Sequence, residues 1–266
     1  MICRLVAFVL LFTGTYALAI EESRVPGGVV LIPLSQDDTP TYNDKAVLTI
    51  ENNKQKLAVV GIALSTKPGI YYLKNGSNEI PFEIKPKKYL EQRIYLKNKR
   101  HVTPNPLDLD RIKKESREQR LALDAHNDQL KEVNMILPVK GPISGPFGKR
   151  RFFNDQPRRP HSGTDIAAST GTPIKAAATG RVTLVGDFFF NGRLVVIDHG
   201  EGLKTMYNHM DRIDVTKDQI VSQGEDIGTV GATGRVTGAH LHLGIILNGV
   251  SVDPALFIPE IRSLPQ

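Results

Sequence analysis

The sequence predicts an all-β protein made of two β-domains that are joined by a helical linker. Its 266 residues include 23 glycines and 17 prolines, which separate many short runs rich in β-branched side chains. Long stretches that favour a helix are few. Apolar residues make up 40% and charged residues 23% of the chain, as in soluble globular proteins, so extensive disorder and a membrane protein with several spans are excluded.

Residues 20–102 are predicted to form a small β-sandwich. Short strand-like runs follow one another there, separated by turn signals such as Asn75-Gly76. This spacing is typical of antiparallel sandwiches. The segment contains no cluster of histidine, cysteine and acidic residues, so we expect no catalytic site in it. The expected strands are 28–34, 46–51, 57–64, 70–73, 80–84 and 92–96.

Residues 103–137 are predicted to be a helical linker. Two prolines at 104 and 106 end the β pattern, and residues 107–134 contain neither glycine nor proline. This stretch predicts a connecting helix or a helix pair with a solvated, charged face. Because acidic residues are interleaved with the basic ones, we expect no binding of nucleic acid.

Residues 138–259 return to a glycine-rich strand pattern and form the second predicted β-domain, which a tail of residues 260–266 follows. We expect a mainly antiparallel sheet with a groove, its floor carrying His240 and His242. Long loops such as 147–160 should form the walls of this groove. The expected strands are 181–185, 194–198, 203–208, 227–230 and 240–247.

Residues 1–19 have the pattern of an export signal. An arginine supplies the positive charge, residues 5–12 are an unbroken apolar run, and residues 17–19 fit a small-x-small cleavage site. The apolar run is shorter than the ~20 residues that span a bilayer, although an uncleaved anchor remains an alternative. Cleavage after Ala19 would remove Cys3 and leave no disulfide, no cysteine-based zinc site and no membrane span. We therefore expect export to the periplasm.

Two histidine patterns in the second domain suit a metal site. Residues 161–165 read His-Ser-Gly-Thr-Asp, and residues 240–242 read His-Leu-His. On a strand, side chains two residues apart point the same way, so both histidines of the second pattern can face one site. One aspartate and two histidines form the nitrogen and oxygen ligand set that zinc accepts, with a fourth position left for water. Zinc lowers the pKa of such a water to about 7.

Each pattern alone is more often a packing or surface feature than a metal site. Their combination, with His209 between them, is what points to chemistry. His199, at a predicted strand end before a turn, is more readily explained as a structural residue.

Residues 138–257 resemble the catalytic domain of the lysostaphin/LytM-type zinc metalloendopeptidases, which cut peptide bonds in peptidoglycan. The whole chain is similar to exported Gram-negative members, in which a β-rich N-terminal domain precedes the peptidase. The matching stretches cover about 120 residues in the family's order and read GPISGPFGKRRFFN, RPHSGTDIAASTGTPIKAAATGRV, VVIDHGEGLKTMYNHM, GEDIGTVGATGRVTGAHLHLGI and VDPALF.

The resemblance implies one zinc ion per chain, held by His161, Asp165 and His242. It implies that His209 and His240 are catalytic and activate the water or stabilise the oxyanion, and which of the two takes the proton stays open. The implied partner is peptidoglycan. The implied reaction is hydrolysis of stem-peptide crosslinks, at the D-alanyl-meso-diaminopimelate bond, during cell-wall remodelling.

The sequence departs from the family at one position. Some members carry a tyrosine, in the loop before the first ligand, that helps hold the oxyanion. Here residues 152–154 read Phe-Phe-Asn, so Asn154 is the candidate substrate-binding donor, with capping of a turn as the alternative. The loop is also basic, in a chain of net charge +6, which favours either attraction to peptidoglycan carboxylates or a merely solvated surface. Its basic residues are Lys149, Arg150, Arg151, Arg158 and Arg159.

Other roles stay open beside the peptidase. Some relatives keep the fold, lack the metal ligands and activate an amidase, but all five site residues are present here. The N-terminal β-domain could anchor the protein to the cell wall. It could equally make an autoinhibitory contact that covers the groove.

Overall fold

A computed structural model describes residues 20–97, 99–125, 127 and 132–265 of the chain. The predicted export signal and Cys3 lie outside these residues. The described chain is mostly β-structure in antiparallel sheets with a helix between two β-rich parts, so the predicted fold class is confirmed. The limits of the domains stay a prediction.

The N-terminal part builds a sandwich of two small antiparallel sheets. The strand orders are β1-β5-β4 in one sheet and β3-β2-β6-β7 in the other. Gly76 and Ser77 form the tight turn between β6 and β7, with Gly76 at a φ of 59°. The strands are β1 (Val29–Leu34), β2 (Thr41–Tyr42), β3 (Lys45–Ala46), β4 (Leu48–Asn52), β5 (Gln55–Gly61), β6 (Gly69–Asn75), β7 (Asn78–Ile84) and β8 (Glu91–Ile94).

The three-stranded sheet of this sandwich is buried on both faces. Side chains of one face, such as Val30 and Val60, pack with Phe82 of the other sheet. The alternate side chains Leu48 and Val59 belong instead to the core cluster of the C-terminal part. Because successive side chains of a strand point to opposite faces, the near-continuous apolar runs of β1 and β5 serve two cores at once.

Helix α1 (Pro106–Asp124) follows the sandwich and begins with a capping box. The Asn105 side chain accepts a hydrogen bond from the Asp108 backbone N–H, and the Asp108 side chain accepts one from the Asn105 backbone N–H. The helix is shorter than the 28-residue charged stretch that predicted it, because Ala125 is extended, with ψ at 138°. The buried Lys204 ammonium donates to the Ala125 carbonyl oxygen and fixes this end.

The C-terminal part contains a large antiparallel sheet of order β17-β14-β15-β16-β19-β12-β9, with β13, β18 and β20 paired at its side. Its strands form every element predicted there. The elements are β9 (Ile143–Gly145), β10 (Arg150–Phe153), β11 (Gln156–Pro157), β12 (Thr164–Ala167), β13 (Pro173–Lys175), β14 (Gly180–Phe188), β15 (Gly192–Gly200), β16 (Leu203–Ile213), β17 (Ile220–Val221), β18 (Asp226–Val230), β19 (His240–Leu247), β20 (Val250–Val252) and helix α2 (Glu260–Ser263), with 3-10 turns at Lys99–His101 and Pro254–Leu256.

The predicted wall loop 147–160 contains a hairpin that the sequence did not indicate. Its strands β10 and β11 pair with each other, and β10 also runs parallel to β8 of the N-terminal part. The run Arg-Arg-Phe-Phe has no alternation of apolar and polar residues. Its pairing partner lies about 60 residues away in the chain, so local pattern could not reveal the strand.

We expect Leu48→Ala to lower the free energy of unfolding of the whole chain by about 2–5 kcal/mol, because this fully buried side chain lies in the cluster that both parts share. Leu90→Ala, at a side chain that is 74% exposed, is the control and should change it by less than about 0.5 kcal/mol. Urea unfolding monitored by circular dichroism measures both. Equal effects of the two substitutions would contradict the shared core.

Candidate metal centre and groove

Pairing of β12 with β19 brings the two predicted ligand patterns together. Asp165 lies directly opposite His242 in the register, and His161 lies just before β12. The Asp165 Oδ1 atom is 2.7 Å from His242 Nδ1 and 2.9 Å from His161 Nε2. The two histidine nitrogens are 3.0 Å apart. His161 and Asp165 are four residues apart in the chain, and His242 follows them by 81 and 77 residues. The three side chains nevertheless converge on one point.

Two glycines make this approach possible. A Cβ on Gly163 would stand 2.6 Å from the His242 Nε2 atom, and a Cβ on Gly145 would stand 2.4 Å from the Asp165 Oδ2 atom. Real Cβ atoms do not come so close to other heavy atoms. The glycine of the His-Ser-Gly-Thr-Asp pattern is thus needed to accommodate the ring of His242.

The protonation states around this point favour a bound cation. Burial lowers the pKa of His161 to about 4, so its ring is neutral at pH 7. Its Nδ1–H donates to the Pro146 carbonyl oxygen at 2.9 Å, which leaves a lone pair on Nε2. Burial by itself raises the pKa of Asp165, but the two histidines reverse this and hold that pKa well below its ordinary value.

An ionised carboxylate oxygen and an unprotonated histidine nitrogen therefore face each other at 2.9 Å in a buried place. Two acceptors so placed repel each other unless a proton or a metal ion lies between them. Neutral imidazole nitrogens together with a carboxylate oxygen are ligands of zinc. The residues present thus fit the metal that the sequence predicted, and the three ligand atoms lie close enough to hold one ion.

The other two predicted site residues lie beside this cluster. The His209 ring is 4.9 Å from the His240 ring and 6.0 Å from the His242 ring, between centroids. His209 Nδ1 donates to the Thr233 carbonyl oxygen and His240 Nδ1 donates to that of Gly238, both at 2.9 Å. Burial lowers the pKa of His209 to about 3, so its ring is neutral at pH 7 and its Nε2 is unprotonated. The His240 Nε2 atom lies 3.7 Å from Asp165 Oδ1.

A β-bulge aims His209 at the site. Between the pairs Arg193–Met210 and Val195–Tyr207, strand β16 carries one residue more than β15. His209 takes a φ of 65° there, a left-handed conformation that is uncommon for a residue with a side chain. Bulges redirect side chains in this way, and the sequence contains no local signal for this one.

Arg151 links the N-terminal part to the metal centre. Its Nη2 donates to Asp165 Oδ2 at 2.6 Å, which leaves Oδ1 for the cluster, and its Nε donates to the Gln92 side chain at 3.2 Å. Gln92 lies on β8, opposite Arg151 in the parallel pair. Sequence analysis placed Arg151 only in a basic loop and did not identify this contact.

The cluster opens into a groove of about 650 Å³. Helix α1 supplies part of its wall through Leu109 and Ile112, and residues 102 and 104 add to it. The β10–β11 segment and the turn between β14 and β15 supply most of the rest. Arg235, which sequence analysis did not single out, also lines the groove, where its guanidinium lies over two phenyl rings.

Asn154 and His199 do not point at the cluster. The Asn154 Oδ1 atom accepts from the Leu96 backbone N–H at 2.8 Å, and Asn154 has a φ of 48° in the turn between β10 and β11. Its role as a substrate-binding donor stays a prediction, and this geometry favours the alternative of a turn residue. The nitrogens of His199 contact the Thr179 carbonyl oxygen and the Thr205 hydroxyl, at 2.9 and 2.8 Å.

Comparison with protein families gives two matches on this chain. Residues 159–254 match peptidase family M23, and residues 22–87 match the peptidase family M23 N-terminal domain. A crystal structure assigned to peptidase M23 from Pseudomonas aeruginosa is 39% identical, with a TM-score of 0.76. The similarity covers 90% of this chain and 96% of that one.

Curated relatives are similar over part of their length. The peptidoglycan DD-endopeptidase ShyA of Vibrio cholerae is 40% identical over 147 residues, which are 54% of this chain and 34% of ShyA. The DD-carboxypeptidase/endopeptidase Mpg of Neisseria meningitidis is 42% identical over 122 residues, 45% of this chain and 28% of Mpg. The chain thus spans about a third of these relatives. Within the part of the chain that the structure describes, no helix is long and apolar enough to cross a membrane.

We expect Arg151→Met to weaken zinc binding by about 10- to 100-fold, because the Asp165 carboxylate loses the hydrogen bond that orients it. Arg150→Met removes the same charge from the neighbouring residue, which pairs with Glu91 at the surface, and should leave the affinity unchanged. Competition with a chromogenic chelator measures the zinc Kd of both variants. Equal or tighter binding by Arg151→Met would show that the guanidinium does not support the ligand.

Proposed function

The chain belongs to peptidase family M23 and is a metalloendopeptidase, and from this premise we propose that it is a zinc-dependent enzyme that hydrolyses the peptide crosslinks of peptidoglycan. The observation that carries the proposal is the convergence of two histidine nitrogens and an ionised carboxylate oxygen within 3.0 Å, buried at the floor of a groove. Such a set of acceptors suits a metal cation, and its position in the groove makes it accessible to a substrate.

In this proposal His161, Asp165 and His242 hold one zinc ion per chain. When bound, zinc would polarise the carbonyl of the scissile bond and acidify a water molecule. His209 and His240 stand beside the ligands and each donates from Nδ1 to a backbone carbonyl oxygen, so the Nε2 atom of either can accept the proton of the attacking water and return it to the leaving amine. A protonated histidine can also donate to the oxyanion.

The substrate class comes from the relatives. ShyA and Mpg are named for DD-endopeptidase or carboxypeptidase activity, and the residues of this chain that match peptidase family M23 contain the candidate site. By analogy we propose the D-alanyl-meso-diaminopimelate crosslink as the bond that is cut. Activation of an amidase by an inactive module is not favoured, because all five site residues are present and lie together.

Such a substrate implies export. We propose that residues 1–19 direct the chain to the periplasm and are removed after Ala19. The net charge of +6 would favour contact with the carboxylates of the cell wall.

We also propose that α1, rather than the β-sandwich itself, restricts access to the groove. Leu109 and Ile112 of the helix line the groove directly. The Glu115 carboxylate anchors the helix by accepting from the Phe189 backbone N–H at 2.8 Å, and Arg111 of the same helix donates to the Asp187 carbonyl oxygen at 3.0 Å. Deleting everything before residue 135 would be a poor test, since it would expose the apolar surface that Leu48 and Val59 cover.

The main test compares the chain from residue 20 with three histidine variants. Wild type should hold about one zinc and convert crosslinked peptidoglycan fragments to monomers. His240→Ala and His209→Ala should keep zinc but lose about 10²- to 10⁴-fold in kcat, as expected for general acid–base residues. His161→Ala should lose the zinc itself. Metal analysis and mass spectrometry of the fragments give these results.

Zinc binding by the wild type without any cleavage would overturn the enzymatic proposal for this substrate. Binding of an amidase partner would then be the next function to examine. Loss of zinc in His240→Ala would instead place this residue among the ligands.

Glu115→Ala tests the helix. If α1 restricts access, releasing it should raise the initial rate on polymeric peptidoglycan, by up to about tenfold for a bond of this kind. Glu118→Ala, at an exposed residue one turn away, should have no effect. A lower rate in Glu115→Ala would mean that the helix supports substrate binding and does not inhibit.

A further inference from the structure

We infer that Arg235 is a specificity-determining residue that binds a carboxylate of the peptide substrate in the groove. This inference rests on the proposed function and adds to it the chemical group that the enzyme recognises beside the scissile bond.

The first observation is the setting of the Arg235 side chain. Its guanidinium carbon lies 4.5 Å from the ring centroid of Phe153 and 4.3 Å from that of Phe190. Among the residues that the structure describes, no hydrogen-bond acceptor and no carboxylate contacts this guanidinium. The phenyl rings therefore position the group, while its N–H donors remain available to a ligand in the groove.

The second observation is that the other arginines of the groove either have hydrogen-bond partners within the protein or are exposed to solvent. Arg151 donates to Asp165. Arg158 donates to the Val102 carbonyl oxygen at 2.7 Å and to the Gln156 side chain at 2.5 Å. Arg159 is exposed, so water screens its charge. Arg235 alone among these four is both half-buried and without a polar partner in the described residues.

The third observation is electrostatic. Burial, together with the nearby charges of Arg151 and Arg158, lowers the pKa of Arg235 to about 10, so the group is still charged at neutral pH. A bound anion would stabilise the desolvated guanidinium of Arg235, which lies near the positive charges of Arg151 and Arg158. A carboxylate suits it because its two oxygens match the paired N–H groups of a guanidinium.

The backbone of Arg235 is also held in place next to the catalytic histidine. Its N–H donates to the Phe190 carbonyl oxygen at 2.9 Å. Two residues earlier, the Thr233 carbonyl oxygen accepts from His209 Nδ1 at 2.9 Å. One short segment thus carries the proposed carboxylate receptor and orients a residue of the proposed reaction, which places the recognised group near the bond that is cut.

The test uses the chain from residue 20 and a soluble crosslinked stem-peptide dimer, with its free carboxylates either intact or converted to amides. Wild type should lose about 10- to 100-fold in kcat/KM on amidation, the range expected for charge-assisted hydrogen bonds. Arg235→Gln should lose a similar factor on the intact dimer, mainly through KM, and little on the amidated one. Arg235→Lys, which keeps the charge without the paired donors, should fall between. Lys217→Gln removes an exposed charge outside the groove and should behave as wild type.

Zinc content and thermal unfolding are measured for every variant. An equal loss by Arg235→Gln on both dimers would overturn the inference, because it would indicate a structural role. Equal cleavage of both dimers by wild type would also overturn it, whether or not the variants fold, and would leave the proposed peptidase intact. Failure of wild type to cut either dimer would overturn the peptidase itself and this inference with it.

Discussion

The antiparallel register between β12 and β19 is the constraint on which the site depends. It sets Asp165 opposite His242 and Ala167 opposite His240, so both histidines of the pair share a face with the aspartate while Leu241 turns into the core. A slip of one residue would move each of these side chains to the other face. The buried apolar residues of β19 make such a slip costly, so the same packing that stabilises the sheet keeps the candidate ligands together.

The N-terminal part is built into this arrangement. Its three-stranded sheet gives one face to its own sandwich and the other to the peptidase core, and β8 continues the contact by pairing with β10. Through Gln92 and Arg151 that pairing reaches the Asp165 carboxylate. A chain of packed strands and hydrogen bonds thus joins the sandwich to the metal centre, and the two parts share stability as well as position.

The two sides of the groove differ in charge. The proposed metal ligands are buried and include the Asp165 carboxylate, so they suit a cation. The opposite wall is positive, and its arginines are occupied by neighbouring oxygens or exposed, except for Arg235 between its phenyl rings. A substrate with a peptide bond to polarise and a carboxylate nearby would complement both sides at once.

The sequence by itself predicted most of the longer strands and the region of the helix, because alternation of apolar residues is a local signal. The spacing of two histidine patterns indicated candidate ligands, and the roles of the five candidate site residues came from the family resemblance and stay a prediction. Only the tertiary structure decided which contacts position and surround these residues. The bulge that aims His209, the parallel pairing of β10 with β8, the Arg151–Asp165 contact and the seat of Arg235 all join residues that are distant in the chain or depend on one irregular φ. The hydrogen bond from the Leu96 backbone N–H to the Asn154 side chain is likewise a contact between distant residues, which the sequence pattern did not predict. Long-range pairing leaves no periodic trace in either partner, so these contacts appear only once the chain is folded.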